Sequence, residues 1–141
     1  MTEITLPQIL DEREERVAIQ KDLLKKYSCP LISFTMNIAG PIKISPIITR
    51  AFNWGLAALE RDLGAYEILS RRVDYLVTGC RAIIAVKTDP QTIKDLCLAI
   101  EDSTPLGRLF DMDVINTDGS KLERQSLRGC IVCGAGCGAL C

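Results

Sequence analysis

The chain contains no histidine. That absence removes every Ser-His or Cys-His nucleophile pair and every histidine-bearing metal site from its 141 residues, so proton transfer must fall to a carboxylate, a lysine, a tyrosine or a bound metal. An excess of charge of either sign is also lacking. Lys and Arg number 17 against 18 Asp and Glu, a net charge of −1, which leaves no general basic footprint for nucleic acid. Apolar runs are short, and none approaches the ~20 residues that span a bilayer. The opening Met1-Thr2-Glu3-Ile4 lacks the basic and apolar regions of a signal peptide. The expectation is a cytoplasmic protein with neither nucleic acid nor membrane as partner.

What is present suits a packed globular domain. An apolar fraction of 48% with 25% charged residues argues against disorder, and the length suits one domain. Seven cysteines are many for this length. Cys29, Cys80 and Cys97 lie in apolar surroundings and read as small core residues. Cys130, Cys133, Cys137 and Cys141 crowd the end among glycines. Four thiolates suit tetrahedral Zn²⁺, although this spacing is tighter than two separated knuckles. The alternative is a set of reactive or partly buried thiols. Residues 1–128 are therefore read as the domain and 129–141 as a Cys/Gly-rich tail, with further residues expected beyond Cys141.

Periodicity and capping signals outline the elements. Thr5 caps a helix with Pro7 in its first turn, running to about Tyr27. Leu6, Leu10, Val17, Leu24 and Tyr27 fall on a heptad seam, with Arg13 and Gln20 also on it. Arg13 either snorkels or reaches an anionic site. Pro30 to Ile38 reads as a strand, followed by the turn Gly40-Pro41. Ser45-Pro46 opens a second helix with a stripe at Ile48, Phe52, Gly55, Leu59 and Leu63, stopping at Gly64. Asn37 and Lys43 thus sit in a strand-to-helix loop, a place suited to anions. Tyr66 to Val77 and Arg81 to Lys87 read as a hairpin. Asp89-Pro90 opens a third helix that buries Ile93, Leu96, Cys97 and Ile100. It ends on Glu101-Asp102, where acids oppose the helix dipole, so Glu101 is a candidate for a third acidic group. The turn Asn116 to Gly119 follows the last strand.

Gly107-Arg108-Leu109-Phe110-Asp111-Met112-Asp113-Val114 is the most informative stretch. Read as a strand, it sends Phe110, Met112 and Val114 to one face and Asp111 and Asp113 to the other. Two carboxylates about 7 Å apart on one face repel each other unless a cation lies between them. A hard cation such as Mg²⁺ takes oxygen ligands and shares them with substrate phosphates. Arg108 offers a fork for a phosphate oxygen, and Gly107 lets a backbone approach closely. The plain alternative is two acids keeping a solvent-facing edge soluble.

Several segments together resemble one family. They are Arg13 to Arg16, the run Ser33-Phe-Thr-Met-Asn37-Ile-Ala-Gly40-Pro41-Ile-Lys43 through Ser45-Pro46, Ile100-Glu101, Leu106 to Val114, and Cys-x2-Cys-Gly from Cys130. They are similar to the apo-citrate lyase phosphoribosyl-dephospho-CoA transferases, also called citrate lyase holo-acyl-carrier-protein synthases. That family continues past its cysteines with a basic, histidine-containing stretch and a further helix. The resemblance implies transfer of phosphoribosyl-dephospho-CoA from triphosphoribosyl-dephospho-CoA to a serine of the citrate lyase acyl carrier (gamma) subunit, with release of pyrophosphate. On this reading Asp111 and Asp113 hold Mg²⁺, and one aspartate or Glu101 takes the serine proton. Arg108, Lys43 and Arg13 hold phosphates, and Asn37 holds the ribose or a phosphate oxygen. The expected fold is α+β, a mixed β-sheet with flanking helices, nucleotidyltransferase-like. Two rivals are a non-enzymatic zinc-tailed module that docks on a citrate lyase component, and a nucleotidyltransferase acting on a small-molecule acceptor.

Overall fold

The computed structural model describes residues 3–123; the four tail cysteines lie outside them. The elements are α1 (Leu6–Tyr27), β1 (Leu31–Met36), α2 (Pro46–Asp62), β2 (Glu67–Leu76), β3 (Gly79–Lys87), α3 (Pro90–Asp102) and β4 (Phe110–Ile115), with short 3-10 turns at Leu63–Ala65 and Pro105–Leu109. The α+β class holds. The sheet order is β2-β3-β1-β4, and all three pairings are antiparallel, so the sheet is antiparallel rather than mixed. No helix among the described residues is long and apolar enough to cross a membrane.

The helix starts follow their caps. Thr5 and Gln8 form a reciprocal capping box on α1. The Ser45 side chain accepts from the Ile48 amide, and the Asp89 side chain accepts from that of Thr92. Each helix has Pro at its start, where the missing N–H costs nothing.

Side-chain alternation divides the sheet into two faces. Ile32, Phe34, Ala82, Ile84, Val86, Phe110, Met112 and Val114 pack with α2 and α3 in the main core. Phe34 stacks on Phe52, ring centroids 4.7 Å apart, and meets Phe110 edge-on at 5.3 Å. Gly55 makes room for these rings, because a Cβ there would come within 2.8 Å of both Phe110 and Phe34. Cys29, Cys80 and Cys97 are all buried, as expected of small core residues.

The other face is covered by α1, but only at one end. Leu31, Ile83, Ala85 and Ile115 meet Ile19, Leu23, Leu24 and Tyr27. The expected seam through Leu6, Leu10 and Val17 is instead exposed. The N-terminal half of α1 has polar residues of the sheet opposite it, and there a cavity opens.

Candidate active site

The strand expected from Gly107 begins three residues later. Gly107, Arg108 and Leu109 belong to the 3-10 turn, and β4 starts at Phe110. Within β4 the alternation is as expected: Phe110, Met112 and Val114 are buried while Asp111 and Asp113 face outward. Register places Asp111 opposite Thr35 and Asp113 opposite Ser33 on β1. These four side chains therefore share the face that α1 only partly covers.

A cavity of about 520 Å³ lies between that face and α1. Asp111 and Asp113 form part of its wall. Glu12, Arg13 and Arg16 come from α1, Arg81 from β3, Lys43 from the β1–α2 loop, and Lys121 from the segment after β4. Five cationic side chains thus surround three carboxylates. Arg81 is matched by Glu12, Glu15 and Asp74, so Arg13 and Lys43 are the lining cations not already paired with a carboxylate among the described residues and are placed to meet an anion.

The carboxylate pair is under electrostatic strain. The Asp111 carboxyl is pushed up to about 6 by desolvation, by the charge of Asp113 and by the hydrogen bond the two share, with Lys121 opposing the rise. Lys121 reaches an Asp113 oxygen at 3.4 Å. A backbone bridge between Ile115 and Lys121 holds this lysine beside β4. An oxygen-only pair that carries one charge too many for its surroundings fits a hard cation such as Mg²⁺. No cluster of three or more acidic or thiol ligands occurs among the described residues.

The cationic wall contains a second network. Arg81 is almost completely buried, yet its guanidinium meets Glu12 at 3.0 Å, Asp74 at 3.0 Å, and Glu15. Burial works against its charge, but these three carboxylates more than offset that and raise its pKa. Glu12 also pairs with Arg16 at 3.6 Å. Arg13 has no ion-pair or hydrogen-bond partner among the described residues and projects from an exposed position on α1.

Of the residues expected in the site, the fold brings together Asp111, Asp113, Arg13, Asn37 and Lys43. The Lys43 ammonium donates to the Ile38 carbonyl and so also braces its own loop. Glu101, Gly107 and Arg108 do not line the cavity. The third carboxylate expected at Glu101 is buried on α3 and accepts a hydrogen bond from the Met112 amide at 3.0 Å. Gly107 does serve a close approach, but to protein rather than ligand: a Cβ there would lie 2.1 Å from the Glu101 carbonyl oxygen.

Arg16, Arg81 and Lys121 were not among the expected site residues. Arg81 carried a readable signal, since it stands in phase with Ile83 and Ala85 on a buried strand face. Lys121 carried none, because its place depends on how the chain folds back beside β4.

Comparison with known proteins adds to this geometry. A family model described as apo-citrate lyase phosphoribosyl-dephospho-CoA transferase matches residues 4–139. Curated proteins bearing that description from Escherichia coli O139:H28 and Shigella boydii serotype 18 are each 34% identical over 137 residues, covering 92% of this chain and 74% of the relative.

Proposed function

Because the chain belongs to the apo-citrate lyase phosphoribosyl-dephospho-CoA transferase family, we propose that it attaches the phosphoribosyl-dephospho-CoA group to a serine of the citrate lyase acyl carrier subunit. The donor on this reading is triphosphoribosyl-dephospho-CoA. The observation that carries it is the carboxylate pair Asp111 and Asp113 in one wall of a cavity whose other walls bear Arg13, Arg16, Lys43 and Lys121.

The bond changes define what the cavity must do. The serine oxygen bonds to the phosphorus nearest the ribose, the link from that phosphorus to the next phosphate breaks, and pyrophosphate leaves with the electron pair. Asp111 and Asp113 would hold Mg²⁺, whose chemistry here is to stabilise charge building on the phosphate oxygens. Arg13 and Arg16 grip the triphosphate from α1, and Lys121 does so from the opposite rim. Asn37 supplies a polar contact for the ribose or a phosphate oxygen. One of the two aspartates takes the serine proton, because Glu101 lies outside the cavity. The covering helix keeps part of the site from bulk water, which strengthens each of these charge contacts.

Intact-mass measurement of the apo carrier subunit tests the reading directly. Incubation with this protein, the triphosphate donor and Mg²⁺ should add the mass of one phosphoribosyl-dephospho-CoA group. EDTA or Asp111→Asn should abolish that gain. A gain that persists in EDTA would remove the metal from the mechanism, and no gain with the intact protein would remove the transfer itself.

A further inference from the structure

Two opposite charges are buried on α3 and aimed at one residue of the neighbouring strand. Lys94 and Glu101 are 6% and 5% exposed. The Glu101 carboxylate accepts from the Met112 N–H at 3.0 Å, and the Lys94 ammonium donates to the Met112 C=O at 3.4 Å. Met112 is the residue between Asp111 and Asp113. We propose that Lys94 and Glu101 are positioning residues that clamp the Met112 peptide and so fix the direction of the two carboxylates on the cavity side.

The argument begins with the edge. Among the described strands β4 pairs with β1 alone, with one further bridge at Ile115 to Lys121, so alternate residues before that bridge turn their backbone polar groups away from the sheet. Those groups need partners when buried, but neutral side chains could serve. Removing two charged groups from water is costly unless each is well bonded. Placing both on the one residue flanked by the aspartates exceeds what shielding an edge requires.

The remaining contacts of this edge agree. Phe110 donates its N–H to the Gly107 carbonyl, and the Val114 carbonyl accepts from Leu122. Backbone groups thus serve the Phe110 N–H and the Val114 carbonyl, while the Met112 N–H and C=O both meet charged side chains. Glu101 is itself held, because the absence of a side chain at Gly107 lets the turn into β4 sit against the Glu101 backbone. Lys94 and Glu101, seven residues apart on α3, lie on one helix face about 10 Å apart. Their long side chains converge on Met112 from either end.

This inference rests on the carboxylate pair being a metal site, and its test uses Mn²⁺ alone. Free Mn²⁺ is followed by its paramagnetic resonance signal as it is titrated into the full chain, below the melting temperature of each variant. Glu101→Leu should weaken binding about tenfold, as loss of an outer partner commonly does. Glu101→Gln should stay within about twofold of wild type, because its amide oxygen can accept the same bond. Lys94→Met should weaken binding in the same direction, and it decides the matter if Glu101→Leu does not fold.

A folded Glu101→Leu or Lys94→Met protein with wild-type affinity would overturn the clamp. So would Glu101→Gln binding as poorly as Glu101→Leu, since the charge itself would then be what matters. Wild-type protein that binds no Mn²⁺ would sink the metal reading and the clamp together, whereas unchanged variants would sink the clamp alone.

Discussion

The ammonium of Lys121 lies 3.4 Å from a carboxylate oxygen of Asp113. It stands as the counter-ion of an acid pair in which burial and the Asp113 charge push the Asp111 carboxyl up. Removing it should therefore affect two measurements in opposite directions. Lys121→Met should bind Mn²⁺ a few-fold more tightly, in keeping with the ~0–1 kcal/mol of an accessible ion pair. The same change should slow group transfer at least tenfold if the lysine also holds phosphate. Unchanged values in both assays would place Lys121 outside the chemistry.

Asp111 links the site to stability. Its folded-state carboxyl titrates at about 6, above its ordinary value of 3.8. The folded protein then holds this proton more tightly than the unfolded chain, so the stabilisation is complete below about pH 4 and lost as pH rises through about 6. In EDTA, Asp111→Asn should match wild type near pH 4 and exceed its Tm by on the order of 1–3 °C at neutral pH. A difference that does not vary with pH would show that Asp111 is not the titrating group.

Arg81 holds the weakly packed end of α1. That helix completely buries none of its residues, and its Glu12 and Glu15 both pair with Arg81. Arg81→Met leaves Glu12 to Arg16, and Glu15 and Asp74 to Arg72, so the loss should stay below the ~3–5 kcal/mol of an orphaned buried charge. Limited proteolysis should then cut within α1 before it cuts the sheet. Cleavage at the wild-type rate would assign the attachment of α1 to its apolar end.

Gly107 and Gly55 test close approach. A Cβ at Gly107 would meet the Glu101 carbonyl oxygen at 2.1 Å, and one at Gly55 would meet two phenyl rings at 2.8 Å. Gly55→Ala should cost about 1–3 kcal/mol as overpacking, because the rings can give a little. Gly107→Ala presses on backbone and should cost more, while also weakening Mn²⁺ binding by displacing the entry to β4. Chemical denaturation of both variants measures the order.

Local pattern made much of this molecule legible. The caps at Thr5, Ser45 and Asp89, the stripe through Phe52, Gly55 and Leu59, and the alternation from Phe110 to Val114 are short-range signals, and the fold keeps them. The heptad on α1 holds at Leu24 and Tyr27 but not at Leu6, Leu10 and Val17. The N-terminal half of α1 lies over the cavity and its polar walls rather than over apolar strand residues, so those three stay exposed even though they fit the heptad. Glu101 was conspicuous as an acid at a helix end, but its bond to the Met112 amide depends on how α3 docks. Lys121 is likewise a matter of tertiary placement.

From Phe110 to Val114 the last strand alternates core residues with two aspartates that face the cavity. A slip of one position against β1 would send Phe110 and Met112 into the cavity and press Asp111 and Asp113 among the aromatic rings. Such a chain would bury two carboxylates and lose its packing at once, so it would fail to fold before it could fail as a catalyst. Folding therefore acts as a proofreader for the site. Among variants of this strand, the yield of soluble protein should report how accurately the two aspartates are aimed, before any substrate is added.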